Sequence, residues 1–292
     1  MKKSKKIITR LIQSFLKKFF ISSFYPSYIF YKTKKNFKKK INQKKQVNKY
    51  SNNLDKINEN EFKITSQNNE DGIINYIFKK IPSNNFFIEI GFGYYEFNSL
   101  NLIKEGWNGR LIDINQDESL ALKKNLNYYY PLSKIEIINT KVTKKNIHDL
   151  TAITDGKKID FFSIDIDSYD YWILNEMNLS NINVLCCEYN HWIGNKKKLT
   201  ISYNEKFKFY DNGIWGTSLL ALTELLKLKK FSLIAVESSG TNAFFVNNQF
   251  ADKFEILSPE KSFRSVGRFY NDEQKKKIFD NVKNNFDKLI EL

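Results

Sequence analysis

Two stretches of the chain concentrate groups that could handle a proton or an ion. In FFSIDIDSYDYW (161–172), Asp165, Asp167 and Asp170 follow an apolar run, and in LCCEYNHW (185–192), Glu188, Asn190 and His191 follow another. Carboxylates and an imidazole at the ends of neighbouring strands can take the proton from a poorly acidic hydroxyl. Alternatively, Asp167 and Glu188 can hold Mg²⁺, which binds one or two carboxylates and leaves its other positions to water and substrate. Asp165 and Asp167, two apart on a strand, share a face. His191 has an unperturbed pKa of about 6.5, in range for a base. Asp165, Asp167, Glu188 and His191 are therefore the candidate catalytic residues, with Asp167 and Glu188 as candidate metal ligands. Simpler duties compete. Asp170 before YWIL suits a helix cap, and His191 lies in a polar loop that could be plain surface.

A third stretch, FFIEIGFGYYEFNS (86–99), places Gly91 and Gly93 in a turn between a strand and a helix. Such a turn faces a nucleotide at the carboxyl end of a sheet. The glycines fit the first two positions of G-x-G-x-x-G, but the third is Glu96. Two like charges about 4 Å apart cost roughly 1 kcal/mol in water and several in a cleft, so an anion beside a pyrophosphate disfavours NAD or FAD. A nucleoside carrying a sulfonium and an ammonium, as S-adenosylmethionine does, reverses that sign and makes Glu89 an asset. Asp113, in RLIDIN, follows Gly91 at about the distance where a carboxylate takes ribose hydroxyls; its bland alternative is a helix N-cap. Asn139 and Thr140, ending IEIINT, occupy the place where such a sheet reads an adenine edge. The candidate cofactor-binding residues are Glu89, Gly91, Gly93, Asp113, Asn139 and Thr140.

The elements that must position these groups alternate. Apolar runs FFIEI, GRLIDI, IEIINTKV, IDFFSIDID, NVLCCEYN, FSLIAVES and NAFFVNN read as strands, and helical patterns separate the first six. That predicts an α/β, Rossmann-like, doubly wound and mostly parallel seven-stranded sheet. The last two strands are joined only by SGT, so the final one must run antiparallel. Around this sheet the expected organisation is a basic amphipathic extension (1–45), a polar linker (46–64), the main domain (65–256) and a C-terminal helical tail (257–292) with Ile278, Val282, Phe286 and Leu289 inward. Trp192, beside His191, is a candidate sugar platform, and Asn242 could face the acceptor.

The net charge of +15 belongs to one end. Residues 1–45 hold 15 of the 47 Lys and Arg and no Asp or Glu, leaving 32 basic against 32 acidic residues in the remainder. A balanced core supplies no obvious phosphate track, so no nucleic-acid partner is expected. KKIITRLIQSFLKKFF sets apolar residues on one helical face and lysines on the other, interrupted too often to span a bilayer. This predicts an attachment to an anionic membrane surface, with a cytoplasmic protein peripheral to the inner face. A docking helix, a transit peptide and a nucleic-acid arm are the other readings. Cys186 and Cys187 are adjacent on a strand and point to opposite faces, which predicts free thiols in a reducing compartment.

EIGFG, LIDIN and the closing antiparallel strand pair resemble class I S-adenosylmethionine-dependent methyltransferases. SQNNEDGI, FFIEIG, NLIKEGWNGRLIDIN, FFSIDIDSYDYWIL and CCEYN together resemble the FkbM-like group of that class, over residues 65–250. The third glycine usual in the class is replaced here by Tyr95. The resemblance implies O-methylation of a hydroxyl on a glycan, glycolipid or related small molecule, with S-adenosylmethionine as cofactor and, in some sugar enzymes of this fold, a metal at the two acidic strand ends. The rival expectations are a methyltransferase-like binding or assembly protein without turnover and a nicotinamide-dependent oxidoreductase.

Overall fold

The computed structural model describes residues 34–35, 37–39, 41–42, 54–94, 96–153, 158–265 and 270–292. Most of the expected membrane-binding extension, and Tyr95, lie outside those residues. Strands β1 (Phe86–Ile90), β2 (Asn108–Asp113), β3 (Ile135–Asn139), β4 (Ile159–Ile164), β5 (Ile182–Glu188), β7 (Phe231–Val236) and β8 (Asn242–Asn247) form one sheet in the order β3-β2-β1-β4-β5-β8-β7. Strands β1 to β5 pair in parallel, while β8 is antiparallel to both β5 and β7. This is the doubly wound sheet with a reversed strand that the apolar runs predict. The reversal follows from chain length, because the link from Val236 to Asn242 can close only a hairpin.

Helices α1 (Glu70–Phe78), α2 (Leu100–Lys104), α3 (Gln116–Tyr129), α4 (Ile147–Thr151), α5 (Asp170–Glu176) and α6 (Leu219–Leu228) connect or precede these strands. Alternation along the strands feeds two cores. Ile88, Phe162, Leu185 and Phe245 face one layer, and Phe87, Phe161, Val184 and Phe244 the other. Cys186 and Cys187 divide between the same two layers and are free thiols, as adjacent strand positions require.

Two boundaries need correction. The described part of the expected linker, 54–64, is packed into the domain: a 3₁₀ turn at Lys56–Asn60 buries Ile57 and Asn58, and Glu61 and Ile64 are buried beyond it. Polar composition misleads there because the polar groups are paired inside, Asn58 donating to the Val236 carbonyl at 2.9 Å. The C-terminal tail is helical as expected, and it packs on the domain. After α7 (Pro259–Ser262), α8 (Asp272–Asn284) buries Ile278 and Val282, and the chain ends in β9 (Leu289–Glu291), antiparallel to β6 (Leu199–Ile201). Leu289 is inward as expected, but Phe286 is exposed. Near residue 40, Phe37 and Ile41 are buried in the second core, and Phe37 stacks on Tyr129 with centroids 5.4 Å apart. The end of the basic extension therefore docks on the domain.

Candidate active site

The carboxyl ends of β1, β2 and β4 meet at the glycine turn. Gly91 has φ +76, and a Cβ on it would lie 1.6 Å from the Asp165 carbonyl oxygen, so only glycine lets β1 and β4 close here. Its amide donates to the Ile112 carbonyl at 2.9 Å. Asp113 ends β2 and fastens the turn from the other side: its carboxylate accepts from the amides of Phe92 at 3.2 Å and Asn115 at 2.6 Å. Burial raises its pKa.

Two cavities flank the turn and share Gly91, Phe92, Gly93 and Asp165. The first, of about 400 Å³, runs past Asp113, Ile114 and Thr140 to Asp167, with Phe207 from a neighbouring loop over it. The second, of about 360 Å³, reaches Gln67, Glu89, Asn98, Glu118 and Asn242. This is the crevice beyond the strand ends where an open α/β sheet binds its ligand. Of the groups expected to hold a cofactor, Gly91, Gly93, Asp113 and Thr140 line the first cavity and Glu89 the second. Asn139 does not line either; its side chain donates to the Asp113 carbonyl at 3.0 Å, bracing the strand end.

Two acids differ from expectation. Glu89 is buried and already engaged, accepting from the amides of Asn98 at 2.9 Å and Ser99 at 2.7 Å ahead of α2. Burial pushes its pKa to about 7, with those hydrogen bonds pulling the other way. Glu96 forms an ion pair with Lys63. Its charge is thus locally offset by a residue from the segment expected to be linker, and the repulsion argued from Glu96 alone is weakened. The acid surplus rests instead on Asp113, Asp167 and Glu118 around the turn; among the described residues lining either cavity, Lys141 is the one basic side chain. The Lys141 ammonium is turned onto the Glu205 carbonyl.

Asp165, Asp167 and Glu188 come together, each offering an oxygen within 4.8 Å of the others. Their convergence is not the strand alternation expected, because β4 ends at Ile164 and Asp167 sits in the turn beyond with φ +53. A non-glycine residue in that region is unusual and marks a backbone held by its surroundings. Asp170 provides the hold, accepting from the amides of Ile166 at 2.9 Å and Ser168 at 3.1 Å. Asp170 thus organises the turn that precedes the helix; the N-cap position itself is Tyr169 and carries no side-chain cap hydrogen bond.

Proximity of like charges dictates how the trio titrates. Burial first, then the charges of Asp167 and Asp170, push Asp165 well above the usual carboxylate range. Burial and the Asp165 charge do the same for Glu188. Asp167 is pushed up to about 6 by burial, with Asp170 and Asp211 adding to it. Asp165 and Glu188 are therefore the groups of the trio that hold a proton most readily, and Asp167 is an anion at neutral pH.

His191 and Trp192 are placed differently from expectation. His191 lines neither cavity. It packs edge-on to Trp215 and Tyr189, and its Nδ1–H donates to the Gly240 carbonyl at 3.1 Å. Burial lowers its pKa to about 4, leaving a neutral imidazole with Nε2 buried and without a hydrogen bond. Trp192 is buried between Tyr270 and Phe279 (centroids 5.0 and 5.1 Å), which removes it as a sugar platform. Gln67, Lys141 and Phe207 reach the cavities without any signal in their own spacing, since each comes from a polar segment whose path is set elsewhere.

No known family matches the sequence, and no curated protein does. Among solved structures, the magnesium protoporphyrin IX methyltransferase of Synechocystis PCC 6803 with bound SAH is similar over 75% of this chain and 96% of that one, at 13% identity and a TM-score of 0.43. An S-adenosylmethionine-dependent methyltransferase from Clostridium acetobutylicum ATCC 824 covers 61% and 90%, at 11% identity and 0.40. The glycopeptide N-methyltransferase MtfA complexed with S-adenosylmethionine covers 61% and 93%, at 10% and 0.40. At such low identity and TM-scores below 0.5 these likenesses decide nothing about this chain's chemistry. The architecture rests on its own strand order and pairing.

Proposed function

We propose that the chain is an S-adenosylmethionine-dependent O-methyltransferase of the FkbM-like group, acting on a hydroxyl of a glycan, glycolipid or related small molecule. One observation carries the reading. The crevice around the glycine turn is lined by carboxylates with a single lysine, turned away onto a carbonyl, which favours a cationic nucleoside over a diphosphate. Bound S-adenosylmethionine would supply an electrophilic methyl on its sulfonium. Asp113 stands at the end of β2 for the ribose hydroxyls. Thr140 and Ile114 flank the place for the base.

Asp167, ionised above about pH 6, serves as the base for the acceptor hydroxyl. The raised pKa of Asp165 and of Glu188 favours their neutral forms and lowers the charge massed beside it. The same three carboxylates are a hard-oxygen set that fits Mg²⁺, which would lower the pKa of a bound hydroxyl. His191, neutral, buried and outside both cavities, does not take the proton. Residues 1–45 would attach the cytoplasmic protein to an anionic membrane surface.

Calorimetric titration tests the cofactor. S-adenosylmethionine and S-adenosylhomocysteine are expected to bind and NADH is not. The Lys63–Glu96 pair keeps the nicotinamide rival in play, and NADH binding with no S-adenosylhomocysteine binding would establish it. Cofactor binding with no methyl transfer to any extracted glycolipid or glycan would favour the assembly-protein alternative.

A further inference from the structure

The second cavity ends at Asn242, the first residue of β8, which pairs with Glu188 on β5. An asparagine amide offers a donor on one side and an acceptor on the other, and its neighbours decide which way it faces. Here the neighbour is Glu70, at the start of α1 and fully buried. Glu70 collects donors: the Asn68 amide at 2.7 Å, Asn68 Nδ2 at 3.0 Å and Asn242 Nδ2 at 2.8 Å. With Nδ2 committed to a carboxylate, Asn242 must turn Oδ1 the other way, and this buried residue lines the second cavity. Asn68 is oriented by the same carboxylate, and its Oδ1 is buried without a hydrogen bond.

Glu70 is itself locked. It sits beside Glu61 and Glu237 in a buried acidic group where Asn69 donates to both of those carboxylates at 3.3 Å. Burial and the neighbouring Glu70 charge push Glu237 to about 8. Rotating Asn242 would set its Oδ1 against the Glu70 oxygens, so the amide has one satisfied orientation.

We infer that Asn242, oriented by Glu70, presents its Oδ1 as an acceptor for the ammonium group of a bound amino-acid-bearing nucleoside. This rests on the cofactor reading above and adds a specificity residue to it. Facing Asn242 across the cavity are further acceptor oxygens on Glu89 and Asp165. The lining around Asn242 is thus rich in acceptor oxygens, which suits an N–H-rich cation.

The test compares two ligands on the full-length chain by calorimetry. S-adenosylhomocysteine carries the ammonium, whereas 5′-methylthioadenosine keeps the nucleoside and sulfur but lacks the amino-acid portion. Asn242→Ala is expected to weaken S-adenosylhomocysteine by about ten- to a hundredfold, the range for one hydrogen bond to a charged group. It should leave 5′-methylthioadenosine unchanged, which also shows that the variant is folded. Glu70→Gln, which disturbs the orienting carboxylate, should produce a smaller loss of the same selective kind. Equal binding of S-adenosylhomocysteine by parent and Asn242→Ala overturns the inference while leaving the cofactor reading intact, and so does an equal loss of both ligands. A parent that binds neither ligand overturns the cofactor reading and this inference with it.

Discussion

A Cβ on Gly91 would lie 1.6 Å from the Asp165 carbonyl oxygen, so the glycine turn and the acidic turn are in van der Waals register through their backbones. Moving either strand end moves the other. Gly91→Ala combines a positive φ with a clash against backbone that no side-chain rotation relieves. It is expected to destabilise by more than about 3 kcal/mol, seen as a large loss of Tm or of soluble protein. A variant melting like the parent would show that β1 and β4 do not close as described.

Asp113 makes two backbone hydrogen bonds and faces the first cavity. Asp113→Ala should weaken S-adenosylhomocysteine by about ten- to a hundredfold, with a modest stability cost of about 1 to 2 kcal/mol from the freed amides. Calorimetry and thermal melting separate the two effects. Affinity equal to the parent's would remove Asp113 from the ribose site.

Mg²⁺ is expected to raise Tm at pH 8 and to have little effect at pH 5. The ligands must be deprotonated to bind an ion, and Asp167 titrates near pH 6. Asp167→Asn should abolish the response. An identical Mg²⁺ effect in parent and variant would place any ion elsewhere.

Glu237 has a folded pKa of about 8 against an ordinary value of 4.5, so the folded state holds its proton more tightly than the unfolded chain. A raised carboxylate contributes most at low pH and loses that contribution as pH rises from about 4.5 through about 8, at up to about 1.4 kcal/mol per pH unit. Stability should therefore fall between pH 6 and pH 9. Glu237→Gln, which cannot ionise, should flatten this fall and melt higher than the parent at pH 9. A variant with the parent's slope would assign the pH dependence to other groups, Glu89 first among them.

Truncation tests the proposed membrane attachment apart from the docking of Phe37 and Ile41. Removing residues 1–33 should shift the protein from the pelleted membrane fraction to the soluble one at unchanged Tm. Removing 1–45 also strips Phe37 and Ile41 from the core and should cost about 2 to 5 kcal/mol. Unchanged partitioning of the shorter deletion would refute the membrane attachment.

The sheet was legible because its strands are nearly unbroken apolar runs between turn residues, and its reversal because SGT is too short for a crossover. The acidic convergence was legible in kind and not in geometry: strand ends gave the neighbourhood of Asp165 and Glu188, while the left-handed turn at Asp167 depends on Asp170 gripping the Ile166 and Ser168 amides. Lys63, Gln67 and Glu70 were hidden for a different reason. They belong to polar stretches whose burial is set by partners such as Val236 and Asn242, more than 170 positions away. β6 and β9, three residues each, carry too little pattern to be seen, and with them goes the placement of the chain's end.

Arg264 and Asp55 meet at 2.7 Å with the guanidinium buried, and Arg264 also packs its backbone under Gly240 in the β7–β8 turn. The chain entering the domain and the chain leaving it are thereby clasped over the hairpin that carries Asn242. A fragment pared to the bare sheet and its helices, 65–256, would lack both halves of the clasp as well as Glu61 and Lys63. The chain before residue 65 and the chain after residue 256 thus both take part in holding that hairpin in place.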